Sequence, residues 1–321
     1  MAATSTTETW DAAWTLTMRS KRKRMTDNIF DAYPTLRMFN AGAEVEAGGK
    51  EIQEDVMYGK NSGTWFDGYD TVGTDAVDGI TAAFFPWRYY AVPITISMTE
   101  EDENRKSDSA MRLLEAKTKQ SMMSARDAIN AAIYSAQSGK SLLGLQDLVA
   151  DTVTSGTVGG INRATNTWWR NQAFTTSTDV DSKSGDFYAG LTAMSSLWND
   201  CSEGNETPTD IFTTLTIFGD IQEIFESTGY ARLEAGSGGI ANAGMPNFRG
   251  ATIQYDRDCS SQHMYMLNKN YIKMKIQANK NFAKTPFKEP VNQFAKVAFV
   301  VLGAQLTINN PRRLGVATTL T

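Results

Sequence analysis

Residues 105–137 carry an apolar period that few architectures can accommodate. Met111, Leu114, Thr118, Met122, Ala125, Ile129 and Ile133 recur at steps of three and four, which puts them on one face of an α-helix. The acids Glu100 to Glu103 precede the stretch and Gly139 follows it, as the helix dipole and a C-terminal stop favour. At about 1.5 Å per residue a helix over 105–137 is about 50 Å long. So long a helix serves as a spine on which other elements lie. Its face is rich in Met, Ala and Thr, which disfavours a self-sufficient coiled coil.

The segment before the spine alternates with period two. "KEIQEDVMYG" puts Ile52, Glu54, Val56 and Tyr58 on one side, and "YYAVPITISM" puts Tyr90, Val92, Ile94, Ile96 and Met98 on one side. Between them lies "GKNSGTWFDGYDTVGTDAVDG", with the Gly, Asp and Asn chemistry of turns. The expected arrangement is one long hairpin over 48–98, its strands reaching roughly 33–50 Å at about 3.3 Å per residue. A two-stranded ribbon of that length is marginal in water and needs a surface beneath it, from its own chain or from a neighbour.

Beyond the spine the pattern shortens into mixed elements. Helices fit "DFYAGLTAMSSLWNDC" and "DIQEIFESTG". Strands fit "IFTTLTIFG", "ATIQYD" and the two halves of "MYMLNKNYIKMKI" about an Asn268–Asn270 turn. "FAKVAFVVLGAQLTI" is a strand buried on both sides at its middle, and "NNPRRLG" ends the ordered run. The class is α+β. Residues 1–47 read as an arm, Ser/Thr-rich and then basic at "RSKRKR", too poor in apolar residues to fold without a partner.

Charge is unevenly placed. The 321 residues carry a net charge of −5, yet residues 41–104 hold thirteen acids against three basic residues, whereas Lys269 to Lys296 holds seven lysines and one acid, Glu289. Opposed blocks of this kind lead to the expectation that the 41–104 block packs near Lys269–Lys296 of a neighbouring copy. Two cysteines, Cys201 and Cys259, are too few for a disulfide framework and read as buried thiols in a reducing compartment. No apolar run approaches the roughly 20 residues that span a membrane, and the N-terminus lacks the pattern of a signal peptide.

The chemical inventory is thin. His263 is the only histidine, so a triad or metal site has a single imidazole to draw on, and a structural role is expected for it. "SGKS" at 138–141 copies the end of a phosphate loop, but Tyr134 stands where the first glycine belongs and a helix precedes it. "EAGSGG" lacks the strand–turn–helix setting of a dinucleotide site, and "TEEDE" is explained by a helix N-terminus. No catalytic residues, cofactor or metal are expected.

The order of arm, acidic hairpin, spine helix, mixed α/β part and long returning strand resembles the tailed-bacteriophage major capsid proteins of the Hong Kong 97-like fold. "TSGTVGGINRATNTWWRNQ", "FRGATIQYD" and "MYMLNKNYIKMKI" carry the resemblance with it, over essentially the whole chain. It implies an N-terminal arm (1–47), an extended loop lying on a neighbour (48–98), a peripheral domain with the spine helix (99–140), an axial domain (141–265), and a return to the peripheral domain with the C-terminal strand (266–321). It also implies self-assembly into hexamers and pentamers of an icosahedral head, built in the host cytoplasm and enclosing double-stranded DNA held by weak non-specific contacts. The short arm implies a separate scaffolding protein; a portal and a decoration protein are further partners, and no membrane is. Some members cross-link a loop lysine to an asparagine; Lys60 sits at the tip, but no partner is identified and no cross-link is assigned. The alternatives are a nanocompartment shell on the same fold, or an enzyme or adhesin.

Residues expected at subunit contacts are Arg19, Lys21, Arg22, Lys23 and Arg24 in the arm, and Glu51, Glu54, Asp55, Lys60 and Trp65 in the loop. Trp168, Trp169 and Arg170 join them, as do Lys273, Lys275 and Lys280 on the return. Of the adjacent tryptophans, one is expected to plug the core and the other to reach a domain or subunit boundary, with Arg163 or Arg170 beside it.

Overall fold

The computed structural model describes residues 33–61, 63–71, 73, 77–103, 107–175, 187–227, 247–291 and 293–318. The basic arm, including Arg19 to Arg24, and "EAGSGG" therefore lie outside the described residues.

A long strand near the C-terminus organises a five-stranded sheet. In chain order, that sheet draws on β1 (Glu44–Glu46), which follows helix α1 (Pro34–Ala41), then on β4 (Arg88–Ser97), β12 (Ile272–Gln277), β13 (Ala283–Lys284) and β14 (Ala295–Ile308). β14 runs antiparallel to β4 from Ala295 opposite Ser97 to Ala304 opposite Arg88, and then pairs with β12 as far as Ile308 opposite Ile272. β1 lies parallel to β12 at the edge. Val92, Ile94 and Ile96 of β4 are buried, as the period-two pattern requires. A short helix, α2 (Met98–Glu103), leads into the spine helix α3 (Ser107–Tyr134). The spine lays Leu114, Ala125, Ile129 and Ile133 on the sheet, all buried, and the Ser121 hydroxyl donates to Pro93 O at 3.2 Å.

The hairpin differs from the sequence expectation. β2 (Glu51–Met57) pairs with β3 (Ile80–Pro86), with Glu51 opposite Pro86 and Met57 opposite Ile80, and not with 89–98. "ITAAFFP" alternates buried Ala83 and Phe85 with exposed Phe84, a strand that lies between the Gly- and Asp-rich tip and the strand expected from Tyr89. Trp87 then turns the corner and the following strand joins β14. The physical reason is burial: on a bare ribbon Val92, Ile94 and Ile96 would face water, whereas beside β14 they lie under the spine.

The spine ends at Tyr134, ahead of the predicted stop at Gly139, which sits in the next turn at φ 57°. Its last carbonyls meet Gly144 instead. A Cβ there would stand 1.9 Å from Ser135 O and 2.7 Å from Ala132 O, so only glycine permits the approach. Helix α4 (Leu145–Leu148) follows, burying both its leucines.

The second sheet has six strands in the order β7 (Gln172–Thr175), β15 (Gly315–Thr318), β11 (Met264–Leu267), β8 (Asp210–Thr213), β10 (Ala251–Tyr255) and β9 (Asn247–Phe248). Helices α5 (Phe187–Cys201) and α6 (Leu215–Ser227) accompany it. "IFTTLTIFG" is strand only to Thr213, because α6 begins at Leu215 and Phe218 N already bonds Thr214 O at 3.0 Å. The order does not end at "NNPRRLG". After the turn at Pro311–Arg313, Gly315–Thr318 forms a fully buried strand between β7 and β11, and Leu197 and Cys201 of α5 pack on Gly315. β11 and β12 flank the Asn268 turn as predicted but belong to different sheets. Buried Asn268 fixes that crossing, donating to Thr207 O at 2.9 Å and accepting from Asn270 N at 3.0 Å.

Ile129→Ala empties the spine–sheet core and is expected to cost about 2–5 kcal/mol. Val45→Ala, on a 61% exposed side chain, is expected to stay within about 0.5 kcal/mol. Chemical denaturation of the two variants checks the difference.

Candidate interaction surfaces

The tryptophan segment is a short hairpin, β5 (Thr157–Val158) with β6 (Ile161–Asn162), followed by a single 3₁₀ turn at Thr167–Trp169. Trp169 is fully buried and its Nε1 donates to Val158 O at 3.0 Å. Trp168 is half-buried and stacks on Tyr58, rings 4.6 Å apart and 13° from parallel. The turn lets the neighbouring indoles meet edge to face at 5.7 Å. Buried Arg163 donates to Leu148 O, and Arg170 Nε donates to Arg163 O at 2.7 Å. Trp169 is core, and Trp168 packs beside it against Tyr58, at the root of its own chain's 58–79 loop.

A second clamp holds the same root. Phe84 N donates to Gly159 O at 3.0 Å, and a Cβ on Gly159 would come within 2.7 Å of Ala83 Cβ. The loop thus leaves the body from a fixed base, while the described residues toward its outer end are exposed. Trp65 is 99% exposed, Phe66 and Tyr69 are also exposed, and Asp70 Oδ2 caps Asp67 N at 3.0 Å. Lys60, Glu51 and Asp55 are exposed, the last accepting from Gln53 Nε2 at 2.9 Å.

The opposed charge blocks meet within one chain, where pairing with a neighbour was expected. Glu44 pairs with both Lys273 and Lys275, and Lys275 also reaches Glu46 at 3.0 Å and Glu54 at 3.3 Å. The Thr307 hydroxyl donates to Glu54 at 2.8 Å. Parallel pairing of β1 with β12 puts Glu44 opposite Lys275, which makes the contact local once the sheet forms. Hydrogen bonds from Lys273 and then Lys275 hold the Glu44 carboxyl below its usual pKa. Burial opposes the Lys275 charge, but hydrogen bonds to Glu44 and Glu46 and the field of Glu54 outweigh it and raise its pKa. Lys280 is exposed.

The remaining chemical candidates are structural. His263 Nε2 lies 3.0 Å from Asp151 Oδ2, its Nδ1 faces Ser261 O, and its ring stacks on Tyr265. Burial pushes the Cys201 and Cys259 thiols up to about 12, away from the thiolate a nucleophile needs. Ser138 N bonds Ser141 Oγ at 2.9 Å, so "SGKS" is a hydrogen-bonded turn. Among the described residues no group of three His, Cys, Asp or Glu side chains is placed to hold a metal, and no helix is long and apolar enough to cross a membrane.

Sequence reasoning missed one buried polar network. Asp256 accepts from Thr35 Oγ1 at 2.8 Å and Asn130 Nδ2 at 2.7 Å, joining α1, the spine and the loop after β10. The available signal was Asn130 itself, a polar side chain between Ile129 and Ile133.

Two outcomes are expected. Trp169→Ala costs about 3–5 kcal/mol, whereas Trp168→Ala costs less and speeds proteolysis within 58–79; denaturation and limited digestion separate them, and equal losses would contradict the split. For Glu44, whose folded pKa lies below its ordinary 4.5, the stabilisation is complete above that value and is lost as pH falls through the folded pKa. For Lys275, raised above its ordinary 10.5, the stabilisation is complete below that value and is lost as pH rises through the folded pKa. Amide exchange at 44–46 should accordingly quicken at both extremes.

No protein-family model and no curated protein sequence matches the chain. Solved structures do. The capsid of cyanophage A-1(L) aligns with a TM-score of 0.64 at 16% identity, over 90% of this chain and 93% of that one. The capsid of Myoviridae phage XM1 aligns at 0.56 and 13%, over 88% and 90%. The SrpI encapsulin from Synechococcus elongatus PCC 7942 aligns at 0.54 and 10%, over 87% and 84%. With the spine helix laid on one sheet, the second sheet beside it and the loop projecting from a clamped root, the chain has the Hong Kong 97-like fold of tailed-phage capsid proteins.

Proposed function

We propose that the chain is a structural shell subunit, assembling into the hexamers and pentamers of an icosahedral phage head that encloses double-stranded DNA. The observation that carries this reading is full-length agreement with the cyanophage A-1(L) capsid, about nine-tenths of both chains, with no large part of either left over. The exposed aromatic loop tip supports it, since a lone globular subunit has no use for Trp65, Phe66 and Tyr69 in water. On this reading the five-stranded sheet with its spine is the peripheral domain, the six-stranded sheet the axial domain, and residues 1–47 the arm, whose end joins the peripheral sheet as β1. Exposed Glu51, Asp55, Lys60, Trp65 and Lys280 and the basic arm are then the contact candidates. Glu54, Lys273 and Lys275 spend much of their charge inside the subunit. The protein acts without catalysis in the virion, after assembly in the host cytoplasm with a separate scaffolding protein, a portal and a decoration protein.

A second reading, a nanocompartment shell, is favoured by the SrpI encapsulin alignment, although its TM-score is lower and it covers less of the partner. Electron microscopy of the purified protein is expected to show closed shells, tubes or capsomers; monodisperse monomers at every concentration would contradict both readings. Copurified double-stranded DNA or scaffolding protein supports the phage head, and a packaged cargo enzyme supports the nanocompartment.

A further inference from the structure

Two residues at the N-terminal end of α1 each touch both the spine helix and the loop that follows β10. Tyr33 donates its hydroxyl to Asp127 of the spine at 3.0 Å. The guanidinium carbons of Arg126, from the spine, and Arg257, from the loop, lie 5.4 and 5.8 Å from the centre of its ring. Thr35 is fully buried and has one hydroxyl proton, which it gives to Asp256 at 2.8 Å. Tyr134, at the end of the spine, is therefore the donor in the 2.5 Å contact between its hydroxyl and that of Thr35.

Asp256 is a costly group to enclose. It is 2% exposed, and among the described residues no lysine or arginine forms an ion pair with it. Hydrogen bonds hold its carboxylate instead, from Thr35, from Asn130 Nδ2 at 2.7 Å and from Asp258 N at 3.1 Å. The Asn130 amide also donates to Asp258 at 2.9 Å, which draws two carboxylates to one group. Asn130 Oδ1 is buried without a partner among the described residues. Like charges and an unmet acceptor make this seam between the spine and the loop weak when left to itself. The loop in turn belongs to the six-stranded sheet, because Asp256 directly follows β10 and its N–H bonds Thr213 O of β8 at 3.0 Å. α1 closes the seam, with Leu36 and Phe39 buried as its anchors and Thr35 as the added donor. Undocking α1 would open Asp256 to water, which competes with Asn130 for its oxygens.

We propose that α1 is a latch: docked, it locks the spine helix to the six-stranded sheet through Asp256, and undocked, it lets the two sheets shift against one another. Residues 1–32 lead directly into Tyr33, so a partner that draws on the arm acts on the latch. The device works within one subunit and does not depend on the shell reading.

The test uses the full chain at a concentration where it is monomeric, with spin labels on Asn247→Cys and Lys288→Cys. Both positions are exposed, one on β9 of the six-stranded sheet and the other bridged to Val297 of β14, whereas Cys201 and Cys259 are buried. Dipolar electron paramagnetic resonance should give one narrow distance peak in the parent. Thr35→Val, close in shape but without the hydroxyl, should broaden that peak, and Thr35→Ser should restore it. Loss of a hydrogen bond to a buried carboxylate should quicken amide exchange at 34–41 by about tenfold or more in Thr35→Val. Residues 128–134 and 256–260 should follow, while 210–213 and 264–267 stay protected. Tyr134→Phe keeps the Thr35 bond to Asp256 and should move the same readings by a smaller factor. Faster exchange at 34–41 with an unchanged distance peak means a helix that docks without coupling the sheets, and overturns the proposal. Unchanged exchange at 34–41 in both Thr35→Val and Tyr134→Phe overturns it as well.

Discussion

The ladder between β4 and β14 is the contact on which the remaining architecture depends. Ten residue pairs link Arg88–Ser97 to Ala295–Ala304, two segments about 200 positions apart in sequence. That ladder draws the second strand away from the loop and turns Val92, Ile94 and Ile96 toward the spine helix. It also leaves the far end of β14 to carry β12 and, through it, β1. Non-local pairing of this kind closes a long loop before it gains anything, which makes it a late step in folding. Once made, it commits the chain to a body with a projecting loop.

The loop is fixed at one end and free at the other, and its chemistry divides at the same place. Near the root, Tyr58 stacks on Trp168, Phe84 N bonds Gly159 O, and Glu54 meets Lys275. Toward the tip, the aromatic rings stand in water. A rigid base with an unsatisfied apolar end suits a contact to be made with another molecule, because the ordering entropy of the root is already spent within the monomer.

The sequence was most legible where one element's own period decides its fate. The spine helix follows from Leu114, Ala125, Ile129 and Ile133. It was least legible where a partner decides. "ITAAFFPWRYY" offers apolar residues to either of two sheets, and only the competition for β14 settles where one strand ends and the next begins. "GVAT" is four residues, too short for a period, yet it forms a fully buried strand of the six-stranded sheet between β7 and β11. The charge blocks misled for a related reason. Totals over 41–104 and 269–296 give complementarity but not the molecule on which it is realised, and parallel pairing of β1 with β12 places Glu44 beside Lys273 and Lys275 in the same chain.

The claim that the root is satisfied within the subunit while the tip awaits a neighbour is tested most directly by hydrogen exchange, comparing dissociated subunits with assembled particles. Amides at 51–57, 80–86 and 157–170 should be protected in both states, and those at 60–79 should gain protection only on assembly. Protection of 60–79 already present in the free subunit, or a root that becomes protected only in the particle, would contradict the account.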